Sequence, residues 1–156
     1  SGIGRIDLTL HVGPGTYKPV TAATLDQHRM HAEWFSVSAE AMNALSQMRR
    51  DTLRPGARVF AVGTTSVRTL ESLPPLAASG GEFCGPISGM TDLLIAPPYE
   101  FKNVDGMLTN FHLPRSTLMA LVAAMVGLDR LKTVYQEAIE MKYRYYSYGD
   151  AMLILP

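Results

Sequence analysis

The chain has 156 residues, of which 47% are hydrophobic and 18% charged, and its 14 basic residues balance its 14 acidic residues. This composition argues against a disordered chain, and the zero net charge argues against a dedicated, strongly basic nucleic-acid-binding domain. Cys84 is the only cysteine, which excludes a disulfide framework and a multi-cysteine zinc site and is typical of a reducing compartment. We therefore expect a cytoplasmic protein without a membrane segment, because its most apolar run, residues 118–126, is too short to cross a bilayer.

The first half of the chain predicts a strand, a helix, and then a second strand that leads into a helix. Residues 6–12 alternate apolar and polar side chains, the period of a half-buried strand, and glycine and proline end it at residues 13–15. Ser38 precedes apolar residues at helical spacing over 39–48, which predicts a capped helix that ends before Pro55. A β-rich run at 58–62, a turn at 63–66 and a helical run at 67–72 follow in that order.

The second half predicts a long loop, two strands, two helices and a final strand. The stretch 73–89 is rich in proline, glycine and serine, which favours a surface loop. Gly127 ends the first of the two helices, and Asp129 is expected to cap the second. The predicted strands are 91–95, 107–111 and 151–155, and the predicted helices are 116–126 and 129–143. Because strands alternate with helices, we expect a layered α/β domain in which helices flank a mixed or mainly parallel sheet.

Two strand-to-helix turns collect polar side chains where α/β domains bind ligands. Ligands of open α/β sheets lie beyond the carboxyl ends of strands, near helix N-termini that carry free N–H groups. The turn at 63–66 offers hydroxyl groups, and Arg68 and Glu71 follow it on the helix. Spacing alone favours the alternative in which Ser66 only caps the helix and Glu71 pairs with a nearby base.

The second turn, residues 110–117, combines an amide, an imidazole, a guanidinium and two hydroxyl groups. His112 is the best candidate for a general base, because the ordinary pKa of imidazole lies close to neutral pH. The alternative is a loop in which Asn110 serves the turn and Arg115 is a solvated charge. Spacing leaves both interpretations open.

Two further groups of residues are candidates for a functional role. His28, His31 and Glu33 could collect a divalent metal, but on an extended strand His28 points away from the other two. We therefore favour hydrogen bonding to a ligand, or closure of the loop, over a metal site. The tyrosine-rich tail at 143–150 places aromatic rings beside arginine, a combination that binds unstacked bases, although tyrosines at the end of a helix also cover a core.

Five segments of the chain closely resemble the S-adenosylmethionine:tRNA ribosyltransferase-isomerase family of queuosine biosynthesis. They are residues 11–17, 31–34, 63–72, 109–117 and 147–150, and their order and spacing also agree with the family. Five motifs in series are more specific than any one of them alone.

The resemblance implies an enzyme that transfers and isomerises the ribosyl group of S-adenosylmethionine onto 7-aminomethyl-7-deazaguanine at the wobble position of tRNA. The product is epoxyqueuosine, and adenine and methionine leave. S-adenosylmethionine is the ribosyl donor, and no metal or other cofactor is expected. The family has an α/β domain interrupted by a small β-barrel, so residues 1–156 are expected to be the C-terminal portion of that domain, without the barrel. A monomer is expected, and the resemblance leaves open whether this portion is active on its own, because part of the substrate surface would be missing.

For the reaction that the resemblance implies, the chemistry of the side chains suggests which residues form the site. His112 or His31 is expected to act as the base, and Glu33 and Asp150 to bind the substrate amine or sulfonium electrostatically. The substrate-binding residues are expected to be His11, Thr16, Thr64, Thr65, Ser66, Arg68, Glu71, Asn110, Arg115, Ser116, Thr117 and Tyr148. The competing functions are a metal-dependent hydrolase that uses His28, His31 and Glu33, and a non-catalytic module that binds tRNA or a nucleotide.

Overall fold

The computed structural model describes residues 2–13, 16, 20, 24–50, 56–76 and 81–155, apart from the side chains of Asp26 and Tyr148. Its strands are β1 Thr9–Leu10, β2 Glu33–Val37, β3 Phe60–Val62, β4 Ile87–Thr91, β5 Gly106–Asn110 and β6 Ala151–Ile154. Its helices are α1 Ala39–Arg50, α2 Thr64–Ser72, α3 Thr117–Val126 and α4 Leu128–Glu140. Short 3-10 turns lie at Leu25–Gln27 and Tyr146–Tyr148.

The strands form two sheets of three strands each. The first has the order β1-β2-β4, and both of its pairs are antiparallel. The second has the order β3-β5-β6, in which β3 and β5 are parallel and β6 is antiparallel to β5. The predicted α/β class is confirmed, with a mixed sheet, and the division into two sheets was not predicted.

Several predicted elements are confirmed because their local signals are strong. Ser38 begins α1, where its hydroxyl accepts a hydrogen bond from the backbone N–H of Ala41 at 3.1 Å. Ser116 is the N-cap of α3, and its hydroxyl accepts from the N–H of Met119 at 3.1 Å. Gly127 ends α3 with a φ of +84°, a left-handed conformation that suits glycine.

Other boundaries differ from the sequence prediction. The strand predicted at 91–95 lies instead at Ile87–Thr91, where it overlaps the end of the predicted loop, because residues 87–91 pair with the whole of β2. Strand β2 itself was not predicted. The N-cap of α4 is Gly127, so the prediction that Asp129 caps this helix is wrong, and Asp129 lies in its first turn. Helix α2 begins at Thr64, so the predicted turn residues 64–66 form its first turn.

Helix α2 occupies the centre of the fold. It contacts β1 and β4 of the first sheet and β3 and β5 of the second. Val67 and Leu70 are buried in the core that both sheets share with α1 and α3.

Two predictions fall on residues outside the described part of the chain. They are the loop residues 14, 15 and 17 and the end of the first helix before Pro55. Among the helices described, none has the length and apolar character that crossing a membrane would require.

Gly106 of β5 provides a test of the sheet register. A Cβ atom added there would lie 2.5 Å from the Ile154 carbonyl oxygen and 2.5 Å from Cε1 of Phe60. We expect Gly106→Ala to lower the free energy of unfolding by about 2 kcal/mol, because the strand and the ring must both shift. The control is Gly85→Ala, where the added methyl group meets open space. Urea unfolding measures both changes, and equal free energies for the two variants would contradict the register.

Candidate functional site

A buried ion pair lies between the first strand residue of β2 and the second turn of α2. The side chains of Glu33 and Arg68 are 2% and 4% exposed, and Nη1 of Arg68 donates to Oε2 of Glu33. The other carboxylate oxygen, Oε1, accepts from the Gly13 backbone N–H and from the Thr16 hydroxyl, each at 2.6 Å. Three segments that are separate in the sequence therefore meet at one carboxylate.

Arg68 extends this network to the strand on the far edge of the first sheet. Its Nε donates to the Leu93 carbonyl oxygen at 3.2 Å, and its Nη2 donates to the Thr91 carbonyl oxygen at 3.4 Å. The Thr91 hydroxyl in turn lies 2.6 Å from the Ser72 hydroxyl, one helical turn further along α2. The guanidinium thus connects α2 to β2 and to the end of β4.

The Glu33 carboxylate is held in its charged form. Burial by itself raises the pKa of this carboxyl, but the hydrogen bonds from Thr16 and Gly13 and the charge of Arg68 outweigh burial and keep the pKa below its usual value. An ionised, buried carboxylate needs such partners to be tolerated. Glu33 is therefore anionic at neutral pH, and its oxygens already accept from described groups.

The first turn of α2 has no side-chain cap. Its N-cap is Gly63, at a φ of +86°, without a side-chain hydrogen bond to the helix. The Ser66 hydroxyl donates back to the Val62 carbonyl oxygen at 2.8 Å, and the Thr69 hydroxyl donates to the Thr65 carbonyl oxygen. The interpretation of Ser66 as a helix cap is wrong, and the positive end of α2 is left without a capping side chain.

The turn after β5 holds His112 in a buried position. Its Nε2 lies 2.8 Å from the Thr109 hydroxyl, and its backbone N–H donates to the Tyr135 hydroxyl at 2.8 Å. Burial lowers the pKa of the His112 imidazole from 6.5 to about 4. The ring is therefore neutral at physiological pH and has a defined orientation.

Asp150 lies beside the same turn. Its carboxylate accepts from the backbone N–H of Arg144 at 2.8 Å and from Nη2 of Arg144 at 3.3 Å. These hydrogen bonds lower the pKa of Asp150, so the carboxylate is charged. The Asn110 amide donates to the Asp150 carbonyl oxygen at 3.4 Å, which joins the tail to the end of β5.

Strand direction brings these groups to one edge of the second sheet. Because β3 and β5 are parallel neighbours, the turns that follow Val62 and Asn110 leave the sheet on the same side. Ala151 pairs with Asn110, so Asp150 lies at that edge too. The Val20 N–H donates to the Arg115 carbonyl oxygen at 2.9 Å, which brings the loop after β1 to this edge as well. Ligands bind at such an edge in α/β proteins.

Some predicted site residues have structural partners of their own. The buried Glu71 carboxylate accepts four hydrogen bonds, from the Tyr99 hydroxyl and from the N–H groups of residues 102, 103 and 104. The Ser116 hydroxyl caps α3, whereas the buried Thr117 hydroxyl has no partner among the described residues. The functional roles predicted for these three residues stay predictions.

The remaining predicted residues differ in exposure. The His11 ring packs on Trp34 with their centroids 4.8 Å apart, and His31 is exposed just before β2. Thr64 is buried, and Arg115 is exposed with a φ of 57°. The side chain of Tyr148 lies outside the described residues. The structure tests none of the roles assigned to them.

Several polar residues of these networks were not selected from the sequence. Thr109 lies next to the predicted turn, and Tyr135 was assigned only to the apolar stripe of α4. Thr91 and Asn103 have no local signal, because each acquires its partners through contacts with α2. Only the position of Thr109, within a recognised motif, could have indicated a role.

The described residues give no support to the metal-dependent alternative. Within them, no three histidine, cysteine, aspartate or glutamate side chains are placed to share a metal ion. Glu33, the proposed carboxylate ligand, is paired with Arg68.

Comparison with known proteins identifies similar sequences along almost the whole chain. Residues 1–154 match the model of the family described as queuosine biosynthesis protein. A protein of Polynucleobacter necessarius subsp. necessarius named S-adenosylmethionine:tRNA ribosyltransferase-isomerase is 49% identical over 153 residues, which is 98% of this chain and 40% of that protein. A protein of the same name from Cupriavidus metallidurans is 48% identical over 99% of this chain and 41% of its own length.

A solved structure agrees with the fold. The crystal structure of S-adenosylmethionine tRNA ribosyltransferase from Thermotoga maritima is 48% identical, with a TM-score of 0.66 over 79% of this chain and 41% of that one. The chain spans about two fifths of the length of the curated relatives that it matches.

The ion pair predicts a large loss of stability when one partner is removed. We expect Glu33→Gln to lower the free energy of unfolding by about 3–5 kcal/mol, because Arg68 is then buried without its counter-ion. The double variant Glu33→Gln/Arg68→Met should lose less than the two single variants together. Asp7→Asn is the matched control, since the Arg5–Asp7 pair is 85% and 78% exposed and should contribute less than about 0.5 kcal/mol. Equal losses in Glu33→Gln and Asp7→Asn would contradict the role of the pair.

Buried His112 predicts a pH-dependent stability. Its folded-state pKa of about 4 lies below 6.5, so only the unfolded chain takes up this proton as the pH falls through that interval. The free energy of unfolding should therefore be highest above pH 6.5 and fall by roughly 2–3 kcal/mol toward pH 4. Protonation of the Glu33 carboxyl lowers the stability only below pH 4.5, because the pKa of this carboxyl in the folded chain is lowered from that value.

Replacement by a neutral amide isolates the effect of His112. Urea unfolding across this pH interval should show a flatter dependence for His112→Gln than for the unaltered chain. If the free energy of unfolding of both proteins falls by the same amount between pH 6.5 and pH 4.5, His112 is not the titrating group.

Proposed function

The chain belongs to the queuosine biosynthesis protein family, and from this membership we propose that it forms part of a tRNA-modifying ribosyltransferase-isomerase. The proposed reaction transfers the ribosyl group of S-adenosylmethionine to 7-aminomethyl-7-deazaguanine in tRNA and isomerises it to the epoxycyclopentanediol of epoxyqueuosine. The proposal concerns the longer protein, because the chain spans about two fifths of its relatives' length. Within that protein, this chain would supply one edge of the active site.

One observation carries the proposal. The motif turns that follow β3 and β5, the Asp150 tail and the loop after β1 meet at the carboxyl edge of the second sheet. That edge combines an uncapped helix N-terminus, a neutral imidazole and a charged carboxylate. A substrate that carries both a carboxylate and a sulfonium is matched by groups of each opposite charge.

The proposed chemistry needs no redox partner. A C–N bond forms between the aminomethyl nitrogen and the ribosyl group, a C–C bond closes the ring of five carbons, and the ribosyl ring oxygen exchanges one C–O bond for another to become the epoxide oxygen. The bonds to adenine and to the methionine sulfur break. The carbon beside the sulfonium and the amine each lose a proton, adenine leaves with one proton, and one proton is released overall. The sulfonium acidifies the adjacent carbon, so a modest base suffices to remove a proton there. S-adenosylmethionine is then a substrate, and we propose that no metal takes part.

His112 is our first choice for the base. Its ring is neutral at physiological pH, so a nitrogen lone pair is available to accept a proton. The Thr109 hydroxyl, 2.8 Å from Nε2, fixes the orientation of the ring. Because a pKa of about 4 makes the imidazole a weak base, its contribution depends on exact placement beside the acidic carbon. His31, which is exposed, is the alternative base.

Burial distinguishes two roles among the other predicted site residues. Glu33 and Arg68 saturate each other inside the protein, so we infer that they position α2 and the loop after β1 and do not contact the substrate. The uncapped N-terminal end of α2 can meet a carboxylate or phosphate through its backbone N–H groups. Asp150 keeps its charge and can attract the sulfonium or the amine.

The test uses a longer protein in which this chain replaces the matched region of the Cupriavidus metallidurans relative. Adenine release from S-adenosylmethionine is measured with tRNA that carries the aminomethyl base. We expect His112→Ala to lower kcat by about 100-fold or more, because a positioned acid or base typically contributes that much. Thr109→Val should cause a smaller decrease, since the ring stays but loses its orienting contact.

His28→Ala serves as the histidine control and should leave kcat unchanged. Near-normal turnover by His112→Ala would remove His112 from the mechanism. If the unaltered protein bound tRNA and S-adenosylmethionine without releasing adenine, the non-catalytic binding module would replace the enzymatic proposal.

A further inference from the structure

The second sheet has an apolar outer face that the described residues leave uncovered. Phe60 and Val62 of β3, Leu108 of β5 and Leu153 of β6 form this face, which we call the open face. Their exposed fractions are 42%, 71%, 38% and 59%. Their neighbours along the strands, such as Ala61 and Met107, point the other way and are buried in the core.

Strand register makes the open face continuous. Val62 pairs with Leu108, and Leu108 pairs with Leu153, so an apolar row crosses all three strands. Phe60 lies beside this row, with its ring directly above Gly106, where a Cβ atom would be 2.5 Å away. The four residues that form the open face are all apolar, and none of them carries a charge.

A face of this kind is normally buried. Sheets with parallel strand pairs are covered on both faces in α/β proteins, because both faces carry apolar side chains. An isolated exposed leucine or valine is ordinary, but a contiguous apolar patch marks an interface. The outer face of the first sheet differs, because the hydroxyl-bearing row of Thr9, Ser36 and Ser88 lies beside its one apolar pair, Trp34 and Met90.

The comparisons indicate what covers the open face. The chain accounts for 41% of the Thermotoga maritima protein and 40% of the Polynucleobacter protein, so the larger part of each relative lies outside the matched region. We propose that the open face is the surface on which this remaining part of the longer polypeptide packs. Its apolar, uncharged character fits a polypeptide core and is unsuited to a polyanion such as tRNA.

The packing would also complete the active site. The open face ends at the carboxyl edge of β3 and β5, where the candidate site residues lie. A segment that covers the face therefore reaches that edge and can contribute the missing wall of the site. The proposal rests on burial and on the lengths of the relatives, and it stands or falls independently of the reaction proposed above.

Cysteine labelling tests the proposal, because Cys84 is the only cysteine in the chain and is exposed. Leu153→Cys places a thiol on the open face, and Met90→Cys places one on the outer face of the first sheet, where Met90 is 62% exposed. Each variant is prepared as the 156-residue chain and as the longer chimaeric protein with the Cupriavidus metallidurans relative. A water-soluble maleimide labels both forms, and peptide mass spectrometry measures the rate at each position.

In the 156-residue chain, the introduced thiols and Cys84 should react at similar rates. In the longer protein, the labelling rate of the thiol at position 153 should fall by about 100-fold or more, because labelling then requires local opening. The thiols at positions 84 and 90 should keep their rates. Val62→Cys provides a second position on the open face in case the substitution at Leu153 disturbs folding.

Three results would overturn the proposal. Equal labelling of positions 153 and 84 in the longer protein would show that the face stays open. Protection in the short chain that increases with its concentration would show that a second copy covers the face. Protection of the longer protein only after tRNA is added would assign the face to the nucleic acid.

Discussion

The buried pair of Glu33 and Arg68 determines how the two sheets are arranged. Glu33 belongs to the first sheet, whereas Arg68 belongs to α2, which also packs on the second sheet. A charge buried in a protein is tolerated only with a well-placed counter-charge and further hydrogen bonds, and both partners here have them. The position of α2 relative to the first sheet is thereby restricted to one that satisfies all these groups.

A second buried network holds the other end of the same helix. Glu71 accepts from the backbone of residues 102–104, and the Asn103 amide donates to the carbonyl oxygens of Leu70 and Leu73 at the end of α2. The helix is fixed near its middle by Arg68 and near its end by Glu71 and Asn103. Its first turn, after Gly63, is the part left without a capping side chain. Such rigid support is what a ligand-binding helix N-terminus requires, because orientation decides the strength of its N–H contacts.

The two outer faces of the sheets fit our proposal that this chain packs against the rest of a longer polypeptide. The first sheet presents a mixed polar and apolar surface, which water tolerates. The second presents the open face, and the relatives contain additional polypeptide outside the matched region that could cover it. The candidate site lies at the border of that face, so the proposed reaction and the proposed packing would involve the same edge of the second sheet.

The sequence by itself determined the elements and groups whose signals are local. Ser38 and Ser116 marked helix starts, Gly127 marked a helix end, and apolar periodicity located β5 and β6. Five motifs in series identified the family, and membership is confirmed by the match over residues 1–154. These signals persist in the unfolded chain, because they depend only on neighbouring residues.

Only the tertiary structure decided which of the polar residues are partners. Glu33 and Arg68 are 35 residues apart, and no local pattern predicts that they neutralise each other. The lowered pKa of His112 comes from burial in the folded chain, where its backbone N–H also donates to the Tyr135 hydroxyl, 23 residues further along. Strand β4 was misplaced because its pairing with β2, and not its own glycine-containing sequence, makes it a strand. In each case the deciding term is desolvation or pairing across the fold, which arises only when distant segments pack together.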